Sequence, residues 1–136
     1  MTTEYARIEW TRAQDALRDA DLLLANGGFD SAASRAYYAA FHAVTALFGV
    51  DGRKFTKHAA LHAAVHRDLV KAGKWPSSLG YDFTFCMNLR VVGDYGSETQ
   101  VDAHQAADAV ASARRILAAI HPTLPPTFPS LSNSDD

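Results

Sequence analysis

Arg35 and His42 are the residues of this sequence whose types and spacing best fit chemistry on an anion. Seven residues of an α-helix turn through about 700°, so the two side chains project from one stripe, with Tyr38 between them. An arginine offers a planar fork of donors to a phosphate, and a histidine exchanges protons near neutral pH. Because the surrounding segment is mostly apolar, we expect both to face a crevice or a partner surface. The alternative is structural: Arg35 pairs with a carboxylate of a neighbouring helix, and His42 is a hydrogen-bonded core residue.

A second cluster precedes the last predicted helix, where Arg90 is followed by the run Gly93–Gly96. The two glycines allow a tight backbone path around Asp94 and Tyr95. We expect Asp94 and Tyr95 at the N-terminus of the last helix, where free N–H groups favour anions, with Arg90 within reach. The alternative is a turn in which Arg90 pairs with Asp94 and Tyr95 packs its ring.

Three histidines recur every four residues at His58, His62 and His66. Two histidines at this spacing can bind a transition metal, but a zinc site needs further convergent ligands, and the sequence identifies none. We therefore predict no metal site and no cofactor, and a solvated or partly buried helix flank for this row. The sequence contains neither a glycine-rich phosphate loop nor a Gly-x-Ser-x-Gly elbow, which disfavours the corresponding enzyme classes.

The elements that position these residues are helices. Apolar residues at alternating spacings of three and four predict helices over residues 3–26, 30–48 and 57–72, and a last helix that ends before Pro122. Residues 79–92 also fit a helix, although their aromatic and β-branched residues resemble a strand. The predicted caps and stops are Thr3, Asp30 or Ser31, Gly49, Thr56, Gly73 and a capping box at Ser97–Gln100.

Length and composition bound the remaining possibilities. The chain has 136 residues, of which 13 are Lys or Arg and 15 are Asp or Glu, so its net charge is −2. We predict one domain, an all-α up-and-down bundle of four to five helices over residues 1–121, followed by a flexible Pro/Ser-rich tail over residues 122–136. Without a long apolar stretch or a signal-like N-terminus, a cytoplasmic location without a membrane span is expected. The balanced charge disfavours a broad polyanion binder, so any nucleic-acid binding must come from a local patch.

Together these features resemble the HEPN domain family (higher eukaryotes and prokaryotes nucleotide-binding). The resemblance runs from the first helix to about Ile120, and it rests on the tyrosine-rich stretch 32–43, on Lys57–His58, and on Arg90 with Gly93–Tyr95. It implies a helical bundle that forms a homodimer and is often encoded beside a minimal nucleotidyltransferase in toxin–antitoxin pairs.

The resemblance also implies a chemistry. Many members resemble metal-independent endoribonucleases built on an Arg, four to six residues and a His, at a cleft between two protomers. Arg35 and His42 match that spacing, with His as general acid or base on RNA and Arg on the phosphate. Tyr38, Arg90, Asp94 and Tyr95 are the expected binding residues around them.

A second function remains open because the family's nuclease motif commonly lies nearer the last helix. At that position this sequence has Arg90, Asp94 and Tyr95 but no histidine at the matching distance. The alternative function is therefore a non-catalytic HEPN module that binds a nucleotide or partners a minimal nucleotidyltransferase, with Tyr95 as a target of nucleotide transfer.

Overall fold

The computed structural model describes residues 2–96 and 98–131. Over these residues the chain forms five α-helices and no strand, so the predicted all-α bundle is confirmed. The helices are α1 (Thr2–Ala25), α2 (Phe29–Val50), α3 (His58–Ala64), α4 (Ser77–Tyr95) and α5 (Ala103–Ile120). A π-helix over Val65–Val70 continues α3, and a 3₁₀ turn over His121–Thr123 follows α5.

The central element is α2, which packs against α1, α4 and α5. Its apolar residues extend nearly all round, as the sequence predicts for a helix in the middle of a bundle. Many of its buried residues are alanines, whose small side chains let the neighbouring helices approach closely. The neighbouring helix α1 contributes Trp10, Ala13, Leu17 and Ala20 to the same core.

The starts of the first two helices differ from the sequence prediction. Thr3 lies inside α1 rather than capping it. The N-cap of α2 is Gly28, without a side-chain cap, because the Asp30 carboxylate instead accepts a hydrogen bond from the Val101 backbone N–H at 2.9 Å. Thus Asp30 ties the start of α2 to the segment before α5 instead of capping its own helix.

The predicted stop at Gly49 and the predicted cap at Thr56 are not helix ends in the structure. Gly49 is an internal residue of α2, where it lets the helix approach the Tyr5 ring, and the chain turns at Gly52 with a φ of 81°. Thr56 caps nothing, since α3 begins after Lys57. Gly73, with a φ of 80°, ends the third helical segment as predicted.

The junction between α4 and α5 is the largest correction. The helix α4 includes Gly93 and runs to Tyr95, while the capping box of α5 is formed by Asp102 and Gln105. The predicted box at Ser97–Gln100 is therefore wrong as the start of α5, and Ser97 itself lies outside the described residues. Both tetrads have the same capping pattern, and only the second directly precedes the apolar stripe of α5.

The segment after α5 is packed on the bundle as far as the structure describes it. Leu124 and Phe128 are buried, and the indole N–H of Trp10 donates to the Pro129 carbonyl at 2.8 Å. The sequence predicts a flexible tail from residue 122, so the described part of that segment differs from the prediction, because it buries apolar side chains and its backbone carbonyls accept hydrogen bonds from α1. The remaining tail residues 132–136 lie outside the described residues.

No helix over residues 2–96 and 98–131 combines the length and the hydropathy that a membrane span requires.

Candidate functional site

Tyr38 lies at the centre of a cluster of cationic and imidazole side chains. The Cζ atoms of Arg35 and Arg90 lie 4.9 and 5.8 Å from the centroid of its ring. The imidazole centroids of His42 and His58 lie 6.3 and 6.2 Å from the same point. We call these five residues the Tyr38 surface. It joins the predicted stripe of α2 to the C-terminal half of α4 and the start of α3.

His42 is held by a carboxylate that the sequence analysis missed. Its Nδ1 lies 3.0 Å from Oε1 of the buried Glu9 on α1, whose other oxygen accepts from Arg12 at 2.6 Å. Burial raises the pKa of Glu9, but the hydrogen bonds from His42 and Arg12 outweigh it and leave that pKa below its usual value. A Glu9 carboxylate that accepts from Nδ1–H leaves Nε2 of His42 free for proton transfer.

The position of Glu9 could have been recognised from its spacing. It falls three residues after Ala6 and four before Ala13, on the apolar stripe of α1, where a carboxylate needs a partner. The structural alternative for His42 is thus partly realised, since the side chain is hydrogen-bonded. It is also 24% exposed, so it is accessible from solvent. No carboxylate of the described residues pairs with Arg35.

Arg90 is packed among tyrosines. Its Cζ lies 5.1 Å from the Tyr37 ring and 5.9 Å from the Tyr95 ring, and its side chain is only 16% exposed. Its Nε is buried without a hydrogen-bond partner, and Nη1 reaches the Asp94 carboxylate at 3.5 Å. A buried donor without a partner lowers the stability of the fold. Nε of Arg90 therefore has hydrogen-bonding capacity that the described residues leave unused.

Asp94 and Tyr95 lie at the edge of the Tyr38 surface, in the last turn of α4. The expected placement at the N-terminus of α5 is therefore wrong, because α4 continues through Gly93. The predicted alternative, an ion pair of Arg90 with Asp94, is present. Tyr95 does not pack its ring into the core, since it is 71% exposed.

Beneath the surface lies a network that the sequence analysis did not predict. The Tyr37 hydroxyl is 2.8 Å from Nδ1 of His58 and 3.4 Å from Nε2 of His62. Burial raises the pKa of Tyr37 to about 12 and lowers the pKa of His62 to about 4. The hydroxyl is therefore protonated and His62 is neutral at pH 7. The only sequence signal for this network was the four-residue spacing of the histidines.

The third histidine of that row, His66, is not hydrogen-bonded to Tyr37. Nε2 of His66 lies 3.1 Å from the Thr84 hydroxyl, on the α4 side. Across the described part of the chain, no three His, Cys, Asp or Glu side chains come together as a metal site would require. Cys86 is buried, and burial raises its thiol pKa to about 12, which disfavours thiolate chemistry.

The arrangement suits an anion that carries aromatic rings. Arg35 and Arg90 provide guanidinium donors for phosphate, and the half-buried Tyr38 offers a ring for base stacking. His42 and His58 flank this position with titratable nitrogens. The structure brings Arg35, Tyr38, His42 and Arg90 together, with Asp94 and Tyr95 joined to them through Arg90.

Comparisons with known proteins agree with this fold. The HEPN domain family matches residues 6–122. A UPF0332 protein of Thermotoga maritima is 38% identical over 109 residues, which cover 80% of this chain and 83% of the relative. The crystal structure of TT1696 from Thermus thermophilus superposes with a TM-score of 0.76 at 22% identity, covering 88% of this chain and 98% of that chain.

Proposed function

Because the chain belongs to the HEPN domain family, we propose that it is a metal-independent endoribonuclease of a toxin–antitoxin or RNA-processing system. The observation that carries the proposal is the His42–Glu9 pair on the same surface as Arg35 and Arg90. A carboxylate that orients one imidazole nitrogen leaves the other to act as general acid or base. The two arginines supply positive charge where a phosphodiester gains negative charge.

The proposed reaction is cleavage by the RNA's own 2′-hydroxyl. A base removes the 2′-hydroxyl proton, the O2′–P bond forms, the P–O5′ bond breaks, and an acid protonates the leaving O5′. The products are a 2′,3′-cyclic phosphate and a 5′-hydroxyl end. Arg35 and Arg90 stabilise the extra negative charge on the phosphoryl oxygens in the transition state, and no metal or cofactor takes part.

We further propose that the active form is a homodimer that meets along α4. Three large apolar side chains of this helix, Tyr81, Val91 and Tyr95, are 71%, 45% and 71% exposed. Their spacing of ten and four residues keeps them near one face of the helix. Because the Tyr95 ring on this face lies 5.9 Å from Cζ of Arg90, pairing of two copies through the face would place the partner beside the Tyr38 surface.

Cleavage of RNA in the presence of EDTA tests the endoribonuclease proposal. We expect the purified protein to cleave single-stranded RNA and to leave 2′,3′-cyclic phosphate ends. His42→Ala should lower the rate by about 10²–10⁴-fold, the usual effect of removing an acid or base. The matched control is His104→Ala, because His104 on α5 is 87% exposed and its ion-pair partner among the described residues is Asp108. An unchanged rate in His42→Ala would contradict the assignment.

A second function is favoured by a different observation. Tyr95 is exposed, its ring lies 5.9 Å from Cζ of Arg90, and no histidine of that helix end accompanies it. We propose as the alternative a non-catalytic partner of a minimal nucleotidyltransferase. In the transfer step the Tyr95 oxygen attacks the α-phosphorus of a nucleoside triphosphate, pyrophosphate leaves, and the phenolic proton passes to a base.

Mass spectrometry after incubation with a neighbouring minimal nucleotidyltransferase and ATP tests this alternative. We expect one nucleoside monophosphate on the wild type and none on Tyr95→Phe. Tyr81→Phe is the matched control, because Tyr81 has the same 71% exposure on the same helix. Co-purification without a complex, or equal labelling of both variants, would count against it.

A further inference from the structure

The ring of His58 is held rigidly at the Tyr38 surface although the residue is exposed. It stacks on Phe41 with centroids 4.6 Å apart and planes 4° apart, and it meets the Tyr38 ring edge-on. Its Nδ1 faces the Tyr37 hydroxyl. Within the described residues Nε2, on the opposite edge of the ring, has no hydrogen-bond partner. The ring of this exposed histidine is therefore oriented by its neighbours, and its Nε2 is available to a ligand.

The Tyr37 hydroxyl has a single proton to share between two histidines. When Tyr37 donates to His62, its oxygen accepts from Nδ1–H of His58, and Nε2 of His58 carries a lone pair. When the proton points to His58, that lone pair is replaced by N–H. His62 is neutral at pH 7 and can take either role, so the buried network can select the tautomer of His58.

The charges around His58 favour its neutral form. Burial and the Arg90 guanidinium from α4 lower the pKa of His58 below its ordinary value. The other titratable groups that face it are Tyr37 and Tyr38 from α2 and His62 from its own helix. Across Tyr38, Nδ1 of His42 instead faces the Glu9 carboxylate at 3.0 Å.

We infer that His58 is a second catalytic residue of the Tyr38 surface, namely the general base, with His42 as the general acid. The inference rests on the proposed RNA cleavage. Nε2 of neutral His58 takes the 2′-hydroxyl proton as the O2′–P bond forms. Protonated His42 gives a proton to O5′ as the P–O5′ bond breaks. Tyr37 is a positioning residue, since it acts only through the tautomer of His58.

The rate of RNA cleavage as a function of pH tests this assignment. The wild type should give a bell-shaped profile, in which the acidic limb reports the general base and the basic limb reports the general acid. His58→Ala should lower the rate at pH 7 by about 10²-fold or more and remove the acidic limb. Tyr37→Phe should lower the rate and shift the acidic limb, a change that a merely structural tyrosine would not produce.

Matched controls separate this inference from the proposed function. His66→Ala removes the third histidine of the same row, which bonds Thr84, and should retain the wild-type bell. Wild-type cleavage with an unchanged profile in His58→Ala overturns the role of His58 and leaves the proposed function intact. A wild type that cleaves no RNA overturns both. Circular dichroism and melting temperature show whether each variant is folded.

Discussion

The two halves of α4 carry charged side chains in contrasting environments. In the N-terminal half, Asp82 is only 6% exposed, and its carboxylate accepts two hydrogen bonds from Arg115 at 3.0 and 2.9 Å and one from Ser112 at 3.1 Å. In the C-terminal half, Arg90 is also largely buried, but among the described residues its Nε has no partner and its one carboxylate contact is 3.5 Å long.

The two environments distinguish polar groups that stabilise the fold from polar groups that do not. A buried carboxylate with three donors recovers much of its desolvation cost and locks α4 to α5. A buried arginine over three tyrosine rings, with one donor unused, does not recover that cost fully. This contrast supports a division in which the first half of α4 serves stability and the second half serves the proposed ligand binding, and the following variants test that division.

Replacing the arginines should separate the two halves most strongly. Arg90→Ala should lower the rate of RNA cleavage by about 10²-fold, because a guanidinium that stabilises the transition-state charge is lost. Arg115→Ala should leave the rate within about twofold, since Arg115 serves Asp82 on the other half of α4. Cleavage kinetics under EDTA measure both. Equal losses in the two variants would remove the division.

Adding a methyl group to each glycine of α4 tests its packing. A Cβ on Gly93 would lie 2.7 Å from the backbone oxygen of Asp30, which cannot move without shifting α2. A Cβ on Gly80 would lie 2.7 Å from Cγ2 of Val70, a side chain that can rotate. We expect Gly93→Ala to lower the free energy of unfolding by about 3 kcal/mol and Gly80→Ala by about 1 kcal/mol. Urea unfolding measures both, and the reverse order would contradict the contact at Asp30.

Removing the Asp82 carboxylate, in the N-terminal half of α4, should destabilise the fold more than removing the Asp94 carboxylate, in the C-terminal half. Asp82→Ala should lower the free energy of unfolding by about 2 kcal/mol, because Arg115 and Ser112 lose a charged acceptor. Asp94→Ala should lower it by about 0.5 kcal/mol or less, since that residue is exposed and its contact with Arg90 is long. Urea unfolding at pH 7 compares them, and a larger loss in Asp94→Ala would be inconsistent with the division.

A further prediction concerns the pH dependence of stability that His62 contributes. Its pKa is lowered to about 4 in the folded chain, mainly by burial, against about 6.5 when unfolded. The unfolded state binds the proton more tightly, so this contribution is complete above pH 6.5 and is lost as pH falls toward 4. The slope is at most about 1.4 kcal/mol per pH unit for one proton.

Unfolding curves between pH 7 and 4 check this slope. His62→Gln should flatten the profile, because it removes the titrating group, while the exposed control His104→Gln should not. Identical profiles for the wild type and His62→Gln would show that the buried network does not exclude the proton.

Much of the fold could be predicted from the sequence. The apolar stripes of α1, α2 and α5 are regular over several turns, and the all-round apolar character of α2 placed it at the centre correctly. The helix starts could not be predicted from residue type alone. Asp30 is a cap-forming residue, but its carboxylate bonds to Val101 instead of capping α2. Ser97–Gln100 has the pattern of a capping box, but the box of α5 is formed by Asp102 and Gln105. The described part of the predicted tail buries Leu124 and Phe128 and is hydrogen-bonded to α1 through the carbonyls of Pro129 and Ser130. Two apolar residues are too few to show a helical periodicity in the sequence.

The candidate site likewise has one part that could be predicted from the sequence and one part that could not. That Arg35, Tyr38 and His42 share one stripe follows from the sequence, because helical periodicity fixes angles within a helix. The contacts of Glu9 with His42, of Tyr37 with His58 and His62, and of Arg90 with Tyr38 arise only when the helices pack together. Such contacts depend on how α1, α3 and α4 pack against α2, and the periodicity of each helix leaves that packing free.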